Sequence, residues 1–302
     1  MQLLIDIGNT RLKWAVAPSP AAGSKGGAAP DPHAWFACEA IVHAEIPGVG
    51  AGWMRFPIDG ILISNVAGPA IAAQVLDELR CVRTEAAMLP PVRWFVAEAE
   101  TAGVRNRYRN PAQLGCDRLA ALVGARALQP GRDLIIATCG TATTVDALTA
   151  DGSFIGGMIL PGLATMAYSL ARGTAQLPML ATMPPEAPPK APPAAPDGTP
   201  GNILPSLFAD HTEAAMRNGC LAAQAGAIER AVAAHGNAFC LLSGGAAPWI
   251  APLLQVSHAV QESLVLIGLQ VIAAAQPERF SMQPSQPDVT GVTCRPEANN
   301  TC

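Results

Sequence analysis

QLLIDIGNTRLKWAVA, residues 2–17, is an apolar strand, a tight Gly8-Asn9-Thr10 turn and a second strand, which reads as a β-hairpin with a polar tip. A fainter copy opens the second half of the chain. Ala137-Thr138-Cys139-Gly140-Thr141-Ala142 repeats the pattern of Ile5-Asp6-Ile7-Gly8-Asn9-Thr10, with glycine at the same place. Two such hairpins, one near the start of each half, imply two related subdomains facing each other. Short strands alternating with helices predict a mixed α/β sheet.

Working outward, strand signals recur at 33–38, 60–66 and 92–97, with a helical stretch at 70–83. Leu114, Leu119, Leu122, Val123 and Leu128 line one face of a helix over 112–128. A strand beginning at Asp133 carries the second hairpin, turns at Asp151 and Gly152, and returns as SFIGGMIL. A short helix at 162–172, a long one at 210–235, a strand at 238–242, an SGGA turn and helices at 248–255 and 262–275 complete the pattern. Residues 18–32 read as a surface excursion, 183–201 as a Pro-rich insert outside any packed core, and 277–302 as a loose tail.

Composition narrows the function. The 302 residues carry 50% hydrophobic and only 14% charged side chains, with a net charge of -4. That suits a well-buried protein and offers no basic field for nucleic acid or anionic lipid. The longest apolar stretch, Ser263 to Ala275, is interrupted by Gln270 and is too short to span a bilayer. Asp6 sits inside the first apolar run with no basic leader before it, so the expected location is the cytoplasm. Cysteines at 38, 81, 116, 139, 220, 240, 294 and 302 show no Cys-x-x-Cys pair and no zinc spacing, and read as mostly buried free thiols.

The polar motifs each carry two readings. A strand ending in Asp-x-Gly-Asn-Thr offers a carboxylate for Mg²⁺, a glycine that admits backbone amides to a phosphate, and donors at its tip. The same residues also make an ordinary β-turn. Lys13 either meets phosphate or decorates the hairpin. In GCDRLAAL, Asp117 either complements a helix N-terminus beside a solvated Arg118, or joins Tyr108, Arg109, Asn110 and Gly115 around a small anionic substrate whose hydroxyl proton it accepts. GGMILPG, 156–162, reads as two turns around a strand or as a bare backbone wall for a ligand; SGGA, 243–246, reads as a plain turn or an adenosine approach. No Gly-x-x-x-x-Gly-Lys-Ser/Thr occurs, against a P-loop enzyme. The five histidines have no metal or triad spacing and read as surface or packing residues.

Taken in order, LLIDIGNTRLKW, YRNPAQLGCDRLAAL, IIATCGTATTVDAL, GGMILPGLATM, HTEAAMRNGCLAAQAGAIE and LLSGGA resemble type III pantothenate kinase over roughly residues 2–275, in its Bvg accessory factor branch. The resemblance implies an α/β fold of two duplicated actin/hexokinase/Hsp70-like subdomains, a mixed sheet in each and an ATP cleft between, divided here at 1–128 and 129–276. It implies a homodimer that transfers the γ-phosphate of ATP to the primary hydroxyl of pantothenate, the first step of coenzyme A synthesis. By the same resemblance, Asp6, Ile7, Gly8, Asn9, Thr10, Arg11, Leu12 and Lys13 form the first phosphate-binding hairpin, with Asp6 near Mg²⁺, and Thr141 contacts ATP from the second. Asp117 corresponds to the proton acceptor; Gly115, Cys116 and Arg118 hold pantothenate with it, and Tyr108 and Thr212 add further contacts. Three departures stand out. Thr138 replaces an Asp that helps hold a monovalent cation, K⁺ or NH₄⁺; Cys116 replaces Ala; and the Pro-rich insert lengthens the loop before Thr212. The competing expectations are another small-molecule kinase or phosphatase of this fold, and a regulatory accessory protein built on it.

Overall fold

A computed structural model describes residues 1–19, 34–81, 90–181, 183 and 207–276. The tail, residues 20–32 of the excursion expected at 18–32, and all of the Pro-rich insert except residue 183 lie outside the described residues. In chain order the elements are β1 Gln2–Ile7, β2 Arg11–Ala17, β3 Ala37–Val42, α1 Gly50–Trp53, β4 Gly60–Asn65, α2 Pro69–Cys81, β5 Val92–Trp94, β6 Glu100–Thr101 and β7 Val104–Asn106. There follow α3 Cys116–Leu128, β8 Leu134–Cys139, β9 Ala142–Leu148, β10 Ser153–Pro161, α4 Leu163–Gly173, α5 Thr212–Ala234, β11 Phe239–Ser243, α6 Ala247–Ile250, β12 His258–Val260 and α7 Leu264–Ala275.

The strands form two sheets whose topology repeats. The first has the order β3-β2-β1-β4-β5, and the second runs β12-β11-β8-β9-β10-β7-β6. In each, three consecutive strands pair antiparallel (β1-β2-β3 and β8-β9-β10) and the first of them pairs parallel with the next strand to arrive, β4 or β11. The duplication read from two hairpins is therefore a duplication of whole sheets. The strands β6 and β7 join the second sheet although they precede α3, so the strand content divides between Trp94 and Glu100 while the expected division lay at 128/129.

Strand alternation distributes the core into layers. Leu3, Ile5, Ile7, Leu12 and Trp14 pack outward with Trp53, Val75 and Leu79 of α1 and α2. Leu4 and Leu62 of the first sheet and Leu134, Ile136 and Leu148 of the second face inward onto α3 and α7. Ile135, Ala137 and Val145 pack the opposite face of the second sheet against α4, α5 and α6. The middle helices nearly touch. A Cβ placed on Gly268 of α7 would lie 1.8 Å from the Ala120 carbonyl of α3, so only glycine admits this crossing. That contact fixes α3, whose first turn carries Asp117.

Several expectations shift. The strand expected at 33–38 begins at Ala37 because Trp35 turns away to donate to Gln270 Oε1 on α7 (2.8 Å). The strand at 92–97 ends at Trp94, and the helix expected from 112 starts at Cys116 after a single 3-10 turn, Pro111–Gln113, capped by Asn110. Of GGMILPG, residues 156–161 all lie within β10, which bulges between Phe154 and Gly156, so the first of the two expected turns is absent, while Gly162 caps α4. Cys139, Cys220 and Cys240 are buried and Cys116 half-buried, but Cys38 and Cys81 are exposed. Among the described residues no helix is long and apolar enough to cross a membrane.

Candidate functional site

The inner face of β1 ends in Asp6. Its ladder neighbours are Lys13 on β2 and Ser64 on β4, and strand alternation puts all three on the same face. The first turn of α3 meets them there: Cys116 Sγ lies 3.4 Å from Ser64 Oγ, and Asp117 follows. Asp6 is 7% exposed, and its Oδ1 has no partner. Burial, and then the nearby Asp117 carboxylate, push the Asp6 carboxyl up to about 7, while Lys13 and a hydrogen bond from Ser64 pull it down. Burial also raises Asp117, against the Arg118 backbone N–H, which donates to Asp117 Oδ1 at 2.8 Å. Two carboxylates that repel each other, one with a buried oxygen lacking any donor, suit a divalent cation with hard oxygen ligands. Among the described residues no cluster of three His, Cys, Asp or Glu forms a closed cage. Magnesium, which keeps waters and shares substrate phosphates, needs none.

At the equivalent place in the second sheet stand three hydroxyls, with Thr144 on β9 opposite Thr138 where Lys13 stands opposite Asp6. Thr138 on β8 pairs with Ser243 on β11, as Asp6 pairs with Ser64. The nearest inward carboxylate there, Asp146 on β9, is committed: Arg118 holds it with Nη2 and with Nε at 3.2 Å. Arg118 Nη1 also donates to the Tyr108 hydroxyl at 3.2 Å, and the Tyr108 ring leans on Phe154. Arg118 is 7% exposed, which rules out the solvated reading.

The two hairpin tips meet each other. Gly8 N–H closes the first turn on Arg11 O (3.0 Å), and Gly140 N–H closes the second on Ala142 O (3.0 Å). Thr10 Oγ1 and Thr141 Oγ1 are 2.6 Å apart, joining the two halves. The Gly162 N–H and the Thr165 hydroxyl both donate to Thr141 O at 3.0 Å, so the start of α4 braces the second tip. The SGGA turn docks on the same hairpin through Ala246 N–H to Cys139 O (3.0 Å). Among the described residues, no hydrogen bond occupies the N–H groups of Asn9 and Thr10.

Not every expected residue joins this cluster. Ile7 and Leu12 bury their side chains in the outer core, leaving only their backbone for a ligand. Asn110 is spent on its cap, and Arg109 is exposed. Thr212 is exposed at the start of α5, which packs on the face of the second sheet opposite α3. The sequence reading missed Ser64 and the pairing of Asp146 with Arg118, and held Ser243 only as the first residue of the SGGA turn. His43, expected at the surface or in packing, places its Nε2 2.8 Å from the Gly8 carbonyl oxygen. The GILISNV and DALT stretches carry polar residues in apolar strands, a signal that could have flagged Ser64 and Asp146.

Comparison with known proteins agrees across nearly the whole chain. The family model described as type III pantothenate kinase matches residues 2–234. The type III pantothenate kinase of Herminiimonas arsenicoxydans is 46% identical over 279 residues, covering 90% of this chain and 97% of that protein. That of Aromatoleum aromaticum is 42% identical over 277 residues, covering 90% and 98%. Among solved structures, a conserved putative Baf family transcriptional activator from Campylobacter jejuni superposes with a TM-score of 0.51 at 16% identity, covering 91% of this chain and 99% of that one; it bears on the fold alone.

Proposed function

Because this chain belongs to the type III pantothenate kinase family, we propose that its cleft phosphorylates pantothenate at the primary hydroxyl with ATP, through the residues just described. The observation that carries the reading is the pair of hairpins joined at Thr10 and Thr141, the first of them opening from the strand that carries Asp6 beside Asp117. ATP lays its phosphates between the tips, against the N–H groups of Asn9 and Thr10, the hydroxyls of Thr10 and Thr141, and Lys13. Asp6 would hold a divalent cation, whose charge would offset that of the phosphates, and Asp117 would stay available to the acceptor hydroxyl.

Asp117 acts as the base. As the pantothenate oxygen forms its bond to the γ-phosphorus, the hydroxyl proton passes to the Asp117 carboxylate, and the bond from that phosphorus to the β-γ bridging oxygen breaks, releasing ADP. Burial makes Asp117 a stronger proton acceptor than a solvated aspartate, which favours that transfer near neutral pH. Tyr108 and Arg118 form the acceptor wall, with Arg118 acting mainly by holding Tyr108 against Asp146.

The remaining parts of the assignment rest on surfaces. Ile155, Met158 and Ile159 on β10 and Tyr168 on α4 are exposed apolar side chains on both faces of that strand and on the helix after it, and a second copy of the chain would cover them. A homodimer would also allow Thr212, on the far face of its own sheet, to serve the acceptor site of its partner. At Thr138 the hydroxyl pair with Ser243, and the commitment of Asp146 to Arg118, leave a monovalent cation only neutral oxygens. K⁺ or NH₄⁺ would bind weakly there.

A coupled ADP-release assay with pantothenate against a panel of sugars tests the assignment. Turnover confined to pantothenate supports it; sugar-dependent turnover, or none with any acceptor, overturns it in favour of another kinase of the fold or a non-enzymatic role.

A further inference from the structure

The strand β3 runs antiparallel along the second strand of the first hairpin, and the turn after it touches the tip. Its last residue, Val42, lies opposite Arg11, the first residue after the hairpin tip. The chain then makes a 3-10 turn, His43–Glu45, which its own groups hold closed. Glu45 Oε2 accepts from the Val42 N–H at 3.0 Å, Ile46 N–H donates to His43 O at 3.2 Å, and the Ile46 side chain is fully buried. The imidazole is thereby fixed beside the tip, with Nε2 at 2.8 Å from Gly8 O. A carbonyl only accepts, so Nε2 carries the proton and donates.

This contact acts on a peptide plane. The Gly8 carbonyl and the Asn9 N–H belong to one trans peptide and point in opposite directions. Glycine at position 8 would otherwise let that plane rotate at little cost. The Gly8 N–H is already tied to Arg11 O, so the His43 bond removes the remaining freedom and sets the direction of the unoccupied Asn9 N–H. We propose that His43 is a positioning residue for the nucleotide: by anchoring the Gly8 carbonyl it presents the Asn9 N–H to a phosphate oxygen of ATP. The proposal rests on the reading of residues 6–13 as the phosphate hairpin.

The test compares His43→Phe, which keeps the ring and removes the donor, with His43→Gln, which restores an N–H at similar reach, and with Thr10→Val as a hairpin control. Affinity for a non-hydrolysable ATP analogue is measured by calorimetry, alongside kcat, both KM values and Tm. His43→Phe should weaken nucleotide binding about tenfold, with kcat and the pantothenate KM within about twofold of the parent, and His43→Gln should recover most of the loss. Unchanged nucleotide affinity in His43→Phe, while Thr10→Val weakens binding, would overturn the role of His43 and leave the hairpin reading standing. Unchanged affinity in both variants would overturn the hairpin reading with it. A fall in Tm and in both substrate affinities that His43→Gln does not rescue would reduce His43 to a structural residue and also overturn the proposal.

Discussion

Thr10 and Thr141, 131 residues apart in sequence, bring their hydroxyls to 2.6 Å and form a direct side-chain link between the tips of the two hairpins. Both side chains are exposed, so the link itself adds little to stability. Its worth lies in geometry: the two hydroxyls sit where one anionic group can take both. Thr10→Val and Thr141→Val should each raise the ATP KM about tenfold or more, the scale of a lost hydrogen bond to a charged group, with little change in Tm or in the pantothenate KM. Steady-state kinetics with each substrate varied in turn checks this; an unchanged ATP KM in both variants would remove the tips from nucleotide binding.

Asp6 should cost stability in order to serve the site. Its carboxyl is raised to about 7 by burial, above the 3.8 of an ordinary aspartate, so the folded state holds the proton more tightly than the unfolded chain. The stability it allows is complete below about pH 4 and declines as pH rises to about 7, a loss of as much as about 4 kcal/mol above that point. Without nucleotide or divalent cation, Asp6→Asn should match the parent Tm near pH 4 and exceed it by several degrees at pH 8, while phosphoryl transfer collapses. Thermal melts at the two pH values decide it; a lower Tm for the variant at pH 8 would contradict the assigned shift.

The hairpins were legible in the sequence because each is a local event: adjacent apolar runs, a glycine and short polar residues at the tip. Asp117 was legible for the same reason, as an acid in the first turn of a periodic helix. What stayed hidden depends on which strands become neighbours. Nothing local tells that Ser64 will lie beside Asp6 or Ser243 beside Thr138, because those pairings are set by parallel ladders between distant strands. His43 likewise gains its meaning only when β3 folds back along β2. The β6-β7 hairpin escaped because its strands are only two and three residues long, around a turn with Ala102 at φ 45 and Gly103 at φ 81.

Gly115 should matter to catalysis more than to folding. A Cβ there would lie 2.5 Å from Asp117 Oδ1, yet its backbone angles, φ -55 and ψ 134, suit alanine. Gly115→Ala should therefore displace the Asp117 carboxylate and lower kcat about 10- to 100-fold with a near-parental Tm. A variant with parental kcat would show that Asp117 tolerates displacement and is not the positioned base.

Activation by monovalent cations should be shallow. Thr138 and Ser243 offer only hydroxyl oxygens, and Arg118 occupies Asp146. Titration with KCl at constant ionic strength should show no saturation in the low-millimolar range, and Thr138→Asp should bring half-activation to lower K⁺. Saturable low-millimolar activation of the unmodified protein would mean that another charge supplies the site.

The most direct measurement is the single substitution Asp117→Asn, assayed for pantothenate phosphorylation and, in parallel, for ATP binding by calorimetry. The amide keeps the shape of the carboxylate but cannot take the proton of the acceptor hydroxyl. If Asp117 is the base in a pantothenate kinase, kcat falls roughly a hundredfold or more while ATP still binds. Near-parental turnover in a variant that binds ATP normally would contradict the account at its centre.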